Sequence, residues 1–163
     1  MRHRLIPIIY VLFAISGFTG LIYESLWARY MKLLLGHSSY GQIMTLVIFM
    51  GGLGLGAFLG GKYARILKSP FLLYALIEVL IGIGGLSYHY LFSMMNLNLF
   101  QFLGHTTLQS ESIFLLKIAA AILLTLPWAI LLGMTFPCLS IGVMEINQDS
   151  GRRSLSWLYF TNS

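Results

Sequence analysis

Two carboxylates stand in otherwise apolar stretches of this chain, Glu24 and Glu78. Glu24 is followed five residues on by Arg29, and it ends a stripe begun by Gly17 and Gly20. Either it reaches interfacial water, or it pairs with Arg29, with a group on another helix or with water in a cavity; an unpaired charge in hydrocarbon is costly. Glu78 belongs to the series Ala75, Glu78, Gly82, Gly85 and His89, whose spacings of three and four put all five on one stripe of a helix. Such a carboxyl is either a functional group by default or a packing device hydrogen-bonded to Tyr74 or to a hydroxyl on a neighbouring helix. His89 reads as a hydrogen-bonded histidine near a membrane edge.

The remaining inventory for catalysis is thin. Asp149 is the only aspartate, and no Ser/His/acid set, metal cluster or phosphate loop emerges from the spacing. The single Cys138 excludes an internal disulfide and a cysteine-built metal site. Gly52-Leu53-Gly54-Leu55-Gly56-Ala57 has the G-x-G-x-x-A form of a dinucleotide fingerprint, with Glu78 just over twenty residues on. That fingerprint needs a strand ending and a helix beginning at the first glycine, whereas one apolar run passes through this segment. We therefore expect neither a metal nor a cofactor. The better reading of Gly52, Gly56 and Gly60 is close helix packing, because glycines let membrane helices approach backbone to backbone.

The elements that position these residues follow from composition. The chain has 163 residues, of which 58% are hydrophobic and 9% charged, with a mean hydropathy of +0.83. A soluble domain carries about 25% charged residues, so this chain cannot cover a water-facing surface. The net charge of +5 does not point to nucleic acid, since the Lys and Arg sit at segment ends, as membrane topology uses them. The expected class is all-α: a polytopic membrane bundle of about four helices in a lipid bilayer, with spans at 6–27, 40–61, 71–94 and 113–143.

The first span reads as retained rather than cleaved, because no small-x-small cleavage pattern follows it. It rises about 30 Å at 1.5 Å per residue, enough to cross. Trp27 falls where an aromatic belt would lie. Residues 28–39 read as a short interfacial connection and residues 95–112 as a polar loop. Pro127 and the run Gly133-Met134-Thr135-Phe136-Pro137 interrupt the fourth span. Proline removes a helix hydrogen bond, and the freed carbonyls mark either a broken helix of the kind transporters use for binding sites or a simple kink. The stripe Gly52/Gly56/Gly60 is expected to be the packing centre, with the Gly17/Gly20/Glu24 face of the first helix and the Ala75/Glu78/Gly82/Gly85 face of the third docked on it.

Several of these motifs form a connected resemblance. Ser16-Gly17 with Gly20, Tyr23-Glu24, Trp27 and Arg29, then Gly36 with Ser39-Tyr40, then Phe49 through Ala57 and Gly60-Gly61, resemble the opening of the integral-membrane, spermidine synthase-like proteins. The likeness resumes at Leu73-Tyr74-Ala75 with Glu78, at Ile81-Gly82, Leu126-Pro127, Met134 to Pro137, Gly151-Arg152, Leu158-Tyr159 and Asn162. The loop from Gly60 to Arg65 also resembles the one after the second helix of major-facilitator transporters. In the resembled family, membrane helices precede a cytoplasmic aminopropyltransferase domain that transfers an aminopropyl group from decarboxylated S-adenosylmethionine to putrescine. That domain is not on this chain, so the resemblance lends it no catalytic residues and implies a truncated N-terminal membrane portion ending at Ser163. The implied role is a membrane anchor or transport-like module linked to polyamine metabolism in a bacterial inner membrane. Its partner would be the aminopropyltransferase domain, a second membrane half or a further copy of itself. The alternatives are a half-bundle of a major-facilitator-like small-solute transporter, or the nonfunctional product of a broken gene.

Orientation follows from charge. Arg2, Arg4, Lys62, Arg65, Lys68, Arg152 and Arg153 outnumber Arg29, Lys32 and Lys117, which puts both chain ends and the second connection in the cytoplasm. In a Cys138→Ala background, a membrane-impermeant thiol reagent is expected to label Lys32→Cys from outside intact cells and Ser69→Cys only after permeabilisation. The reverse pattern would invert the topology.

Overall fold

The computed structural model describes residues 6–36, 38–66, 69–105 and 109–146. They form four helices and, among the described residues, no strand: α1 (Ile6–Leu35), α2 (Ser38–Ile66), α3 (Pro70–Gly104) and α4 (Ser110–Ile146). All four are long and apolar enough to cross a bilayer. Large side chains such as Phe18, Phe58, Leu72 and Leu86 are exposed on the outside of the bundle. A water-facing protein rarely leaves so much contiguous apolar surface bare; lipid is the solvent that accepts it.

Two segments read as connections are helical. α1 runs on through 28–35 before ending at Gly36, whose φ of 76° and N–H to the Lys32 carbonyl (3.0 Å) turn the chain. A left-handed φ at a helix end favours glycine. α3 likewise runs through 95–104. At 35 residues it is about 52 Å long at 1.5 Å per residue, well beyond a hydrocarbon layer of about 30 Å, so it tilts or projects. Its start follows the expected punctuation: Ser69 caps the Leu72 N–H at 3.4 Å and Pro70 occupies the first turn. Arg2, Arg4, Lys68, Arg152 and Arg153, on which much of the orientation argument rests, lie outside the described residues, as does Asp149.

The packing centre differs from the expected one. Gly52, Gly56 and Gly60 do face another helix, but that helix is α4. A Cβ on Gly52 would strike Ala129; one on Gly56 would strike the Ile130 carbonyl and Gly133; one on Gly60 would meet Met134 and Pro137. Reciprocally, a Cβ on Gly133 would strike the Leu53 backbone. Ala129, Gly133 and Pro137 step by four residues as the α2 glycines do, so α2 and α4 run parallel with two small-residue stripes in register. Neither α1 nor α3 takes that place.

α4 is instead the common partner. Trp128 lies over Gly84 of α3, and Phe71 of α3 meets Gly142. On another side Leu132 reaches Gly20 of α1, and Phe136 and Leu139 pack with Phe13. Both prolines sit inside a continuous α4, so of the two alternatives, a broken helix or a simple kink, the break does not occur. Thr135 returns its hydroxyl to the Leu132 carbonyl at 2.7 Å, and the Pro137 ring is packed beside Gly60.

The third-helix stripe is also rotated from its expected setting. Gly82 is exposed and a Cβ there would meet nothing within 4 Å, so it packs against no helix. Pro70, Ile77, Ile81, Gly84, Tyr88 and Phe92 are the buried positions of α3. Large side chains at Ile77, Ile81, Tyr88 and Phe92 fill this inner face, where they recover dispersion energy, and Gly84 among them makes room for Trp128.

Substituting Gly56→Leu should cost upward of about 1–3 kcal/mol, the usual range for overpacking a tight contact, whereas Gly82→Leu should stay within about 0.5 kcal/mol. Reversible unfolding in mixed detergent micelles measures both. Equal effects would show that the α2–α4 contact is not the tight one.

Candidate functional site

The stripe of α3 that carries Glu78, Gly85 and His89 faces α1, and it does so through a repeating set of polar and aromatic contacts. Ser16 donates its hydroxyl to Glu78 Oε1 at 2.5 Å. Seven residues on, the Tyr23 ring lies over Gly85, and its hydroxyl donates to the Ile81 carbonyl at 3.5 Å. Seven further, the Tyr30 hydroxyl meets His89 Nδ1 at 3.1 Å. The seven-residue step brings α1 side chains back to one face after two turns, so the two helices run side by side and parallel.

Glu78 is half-buried, and the Tyr74 hydroxyl, one turn earlier on α3, borders both it and Ser16. Glu78 lies eight residues into α3, about 12 Å from its start, and its hydroxyl partner lies on a different helix. Of the two readings of Glu78 the structure supplies the partner that a packing role requires. The Tyr74 hydroxyl is a second hydrogen-bond partner of the same carboxyl. Ser16 also lines a cavity of about 190 Å³ between α1, α2 and α4, together with Gly17, Gly20, Phe49, Leu53 and Thr135. Gly17 and Gly20 thus border space as well as protein.

Below this seam Trp27 is buried, 2% exposed. It stacks on Tyr23 (5.7 Å between centroids) and on Tyr88 of α3 (5.6 Å), and meets Phe49 of α2 edge-on (5.9 Å). It therefore joins three helices and is not part of an aromatic belt facing lipid headgroups. Tyr88 continues the chain to α4 through Thr125 Oγ1 at 3.1 Å. In hydrocarbon each such hydroxyl needs a partner inside the protein.

Glu24 and Arg29 belong to a separate cavity of about 330 Å³ between α1 and α2, shared with Lys32, Gln42 and Thr45. Glu24 and Arg29 form no ion pair. The reason is helical: pairs meet at three or four residues apart, and because α1 continues straight through Ala28, a spacing of five points them about 140° apart. Of the expected options for Glu24, the cavity is the one that the structure contains.

The sequence pointed to Glu78, to Tyr74 and to a hydroxyl on a neighbouring helix, but not to Ser16 in particular, which lies sixty-two residues away and carries no local signal. Lys32, Gln42 and Thr45 carry no local signal of a shared cavity, because the turn at Gly36 separates Lys32 from the other two. No group of three or more His, Cys, Asp or Glu capable of holding a metal is found among the described residues. No family model, curated protein or solved structure matches the chain.

A double-mutant cycle on Ser16→Ala and Glu78→Leu should return a coupling of about 0.5–3 kcal/mol, as for residues in one hydrogen-bonded pair. Ser16→Ala alone should cost about 0.5–1.5 kcal/mol, since the half-buried Glu78 loses one hydrogen bond and keeps Tyr74. Additive effects would mean that the pair does not hold α1 to α3.

Proposed function

We propose that this chain is the membrane module of a spermidine synthase-like protein, anchoring polyamine-forming chemistry at the bacterial inner membrane or passing a polyamine through it. What supports the reading is that the separate motifs carrying the resemblance converge in space. Ser16 of the first motif binds Glu78 of the third. Gly52, Gly56 and Gly60 of the second lie on the stretch that ends in Met134 to Pro137. Gly17 and Gly20 share a cavity with Thr135. Residues scattered over the chain and linked by one resemblance thus build one interior.

On this reading Glu78 is the amine acceptor. A carboxylate within the bilayer requires a proton or a cation, and the primary ammonium of a polyamine supplies one; Ser16 and Tyr74 fix the carboxyl that receives it. Glu24 is unsuited to that part, because Arg29 and Lys32 share its cavity and repel a polycation. Both chain ends would be cytoplasmic, where an aminopropyltransferase domain would work.

Proteoliposomes containing the chain should accumulate labelled putrescine or spermidine above protein-free vesicles, with at least a tenfold lower rate in Glu78→Gln and an unchanged rate in Glu24→Gln. In the anchoring case, washed membranes that contain the chain retain aminopropyltransferase activity lost on its deletion. Absence of both results would overturn the proposal.

A further inference from the structure

The cavity between α1 and α2 has a feature that the polyamine reading does not use: opposite charges share it without touching. Glu24, Arg29 and Lys32 all line it, yet Glu24 forms no ion pair with either cation. α1 enforces the separation. From Glu24, Arg29 is about 7.5 Å further along the axis and Lys32 about 12 Å. Gly41 of α2 is pressed on the Lys32 backbone, where even a Cβ would approach to 2.8 Å, and this contact fixes the α2 wall of the cavity against α1. The opposite wall is polar but uncharged. Thr45 commits its hydroxyl proton to the Gly41 carbonyl at 2.7 Å, and Gln42 presents an amide.

We propose that this cavity binds a small soluble zwitterion of the ω-amino acid class, its ammonium on Glu24 and its carboxylate on Arg29 and Lys32. A molecule with one charge of each sign, separated by several carbons, spans a gap that the side chains cannot close themselves. The guanidinium offers paired donors to a carboxylate, and the volume of about 330 Å³ falls within the range of small-ligand sites. A dication meets two like charges here and a dianion meets Glu24, so neither is matched.

The order of charges along α1 selects the source of the zwitterion. Arg29 and Lys32 are nearer the helix end, and Glu24 lies deeper. An aminophospholipid carries its phosphate on the hydrocarbon side of its amine, so its headgroup meets these residues in reverse order. A soluble molecule entering ammonium first meets them in the right one. This inference is independent of the polyamine reading, since it concerns neither Glu78 nor the α1–α3 seam.

The test is equilibrium binding of labelled 4-aminobutanoate to the chain in phosphatidylglycerol nanodiscs, with butyrate and butylamine as single-charge competitors. The expected result is competition by unlabelled 4-aminobutanoate at concentrations at least tenfold lower than either competitor, and at least tenfold weaker binding in Glu24→Gln and in Arg29→Gln. Competition by butyrate as strong as by 4-aminobutanoate, or binding unchanged in Glu24→Gln, would overturn the proposal. Binding lost when phosphatidylethanolamine replaces phosphatidylglycerol would assign the site to a lipid headgroup and also overturn it. The competitor series uses the unaltered chain, so it decides the question even if a variant fails to fold.

Discussion

The close approach of α2 and α4 is the contact on which the rest of this bundle depends. Gly52, Gly56 and Gly60 lie against Ala129, Gly133 and Pro137 so tightly that Cβ atoms at Gly56 or Gly133 would enter the facing backbone. Hydrocarbon offers no hydrophobic reward for bringing two apolar helices together. What remains is dispersion, and it grows with the number of atoms at van der Waals distance. Removing side chains from both surfaces lets whole backbones count among those atoms. Once α2 and α4 are fixed, α4 has one face left for Tyr88 and Gly84 of α3 and another for Phe13 and Gly20 of α1.

A second kind of force fastens α1 to α3. Glycine contacts give way there to hydroxyls and rings: Ser16 to Glu78, Tyr23 across Gly85, Tyr30 to His89, with Trp27 stacked between Tyr23 and Tyr88. Polar groups at membrane depth lack water as a competitor, so each pair constrains the relative rotation and register of its helices. The result is a division of labour, with one tight apolar seam that holds and one polar seam that orients. Glu78 lies in the orienting seam, and Ser16 and Tyr74 give the carboxyl a fixed position.

The two carboxylates are set in opposite electrostatic surroundings. Glu78 has hydroxyls for neighbours, whereas Glu24 shares its cavity with two cations on the same helix. The first environment suits an added positive charge. The second already exceeds neutrality and suits a molecule that brings both signs. A single bundle thus sets its two membrane carboxylates in surroundings of different character.

Class and element number were legible in the sequence, because hydropathy is a sum over neighbouring residues and needs no knowledge of the fold. The small-residue stripe of α2 and the isolation of Glu78 were legible for the same reason, being local spacings. Helix ends at 28–35 and 95–104 were misread because polar residues can prolong a helix beyond the hydrocarbon, where water accepts them and backbone bonding continues. Partner choice was not local at all. The stripe Ala129/Gly133/Pro137 has the same spacing as Gly52/Gly56/Gly60, but the single proline in it reads equally as a break and as a packing residue. Gly82 and Gly84 are two residues apart on one apolar helix, and only the position of Trp128 makes one of them a contact and leaves the other facing lipid. The sequence by itself determined that four apolar helices would form and that two carboxylates would need partners. Only the tertiary structure decided which helices met, and hence that Glu78 is bonded by Ser16 while Glu24 lines a cavity, because contact energy depends on atoms that lie tens of residues apart along the chain.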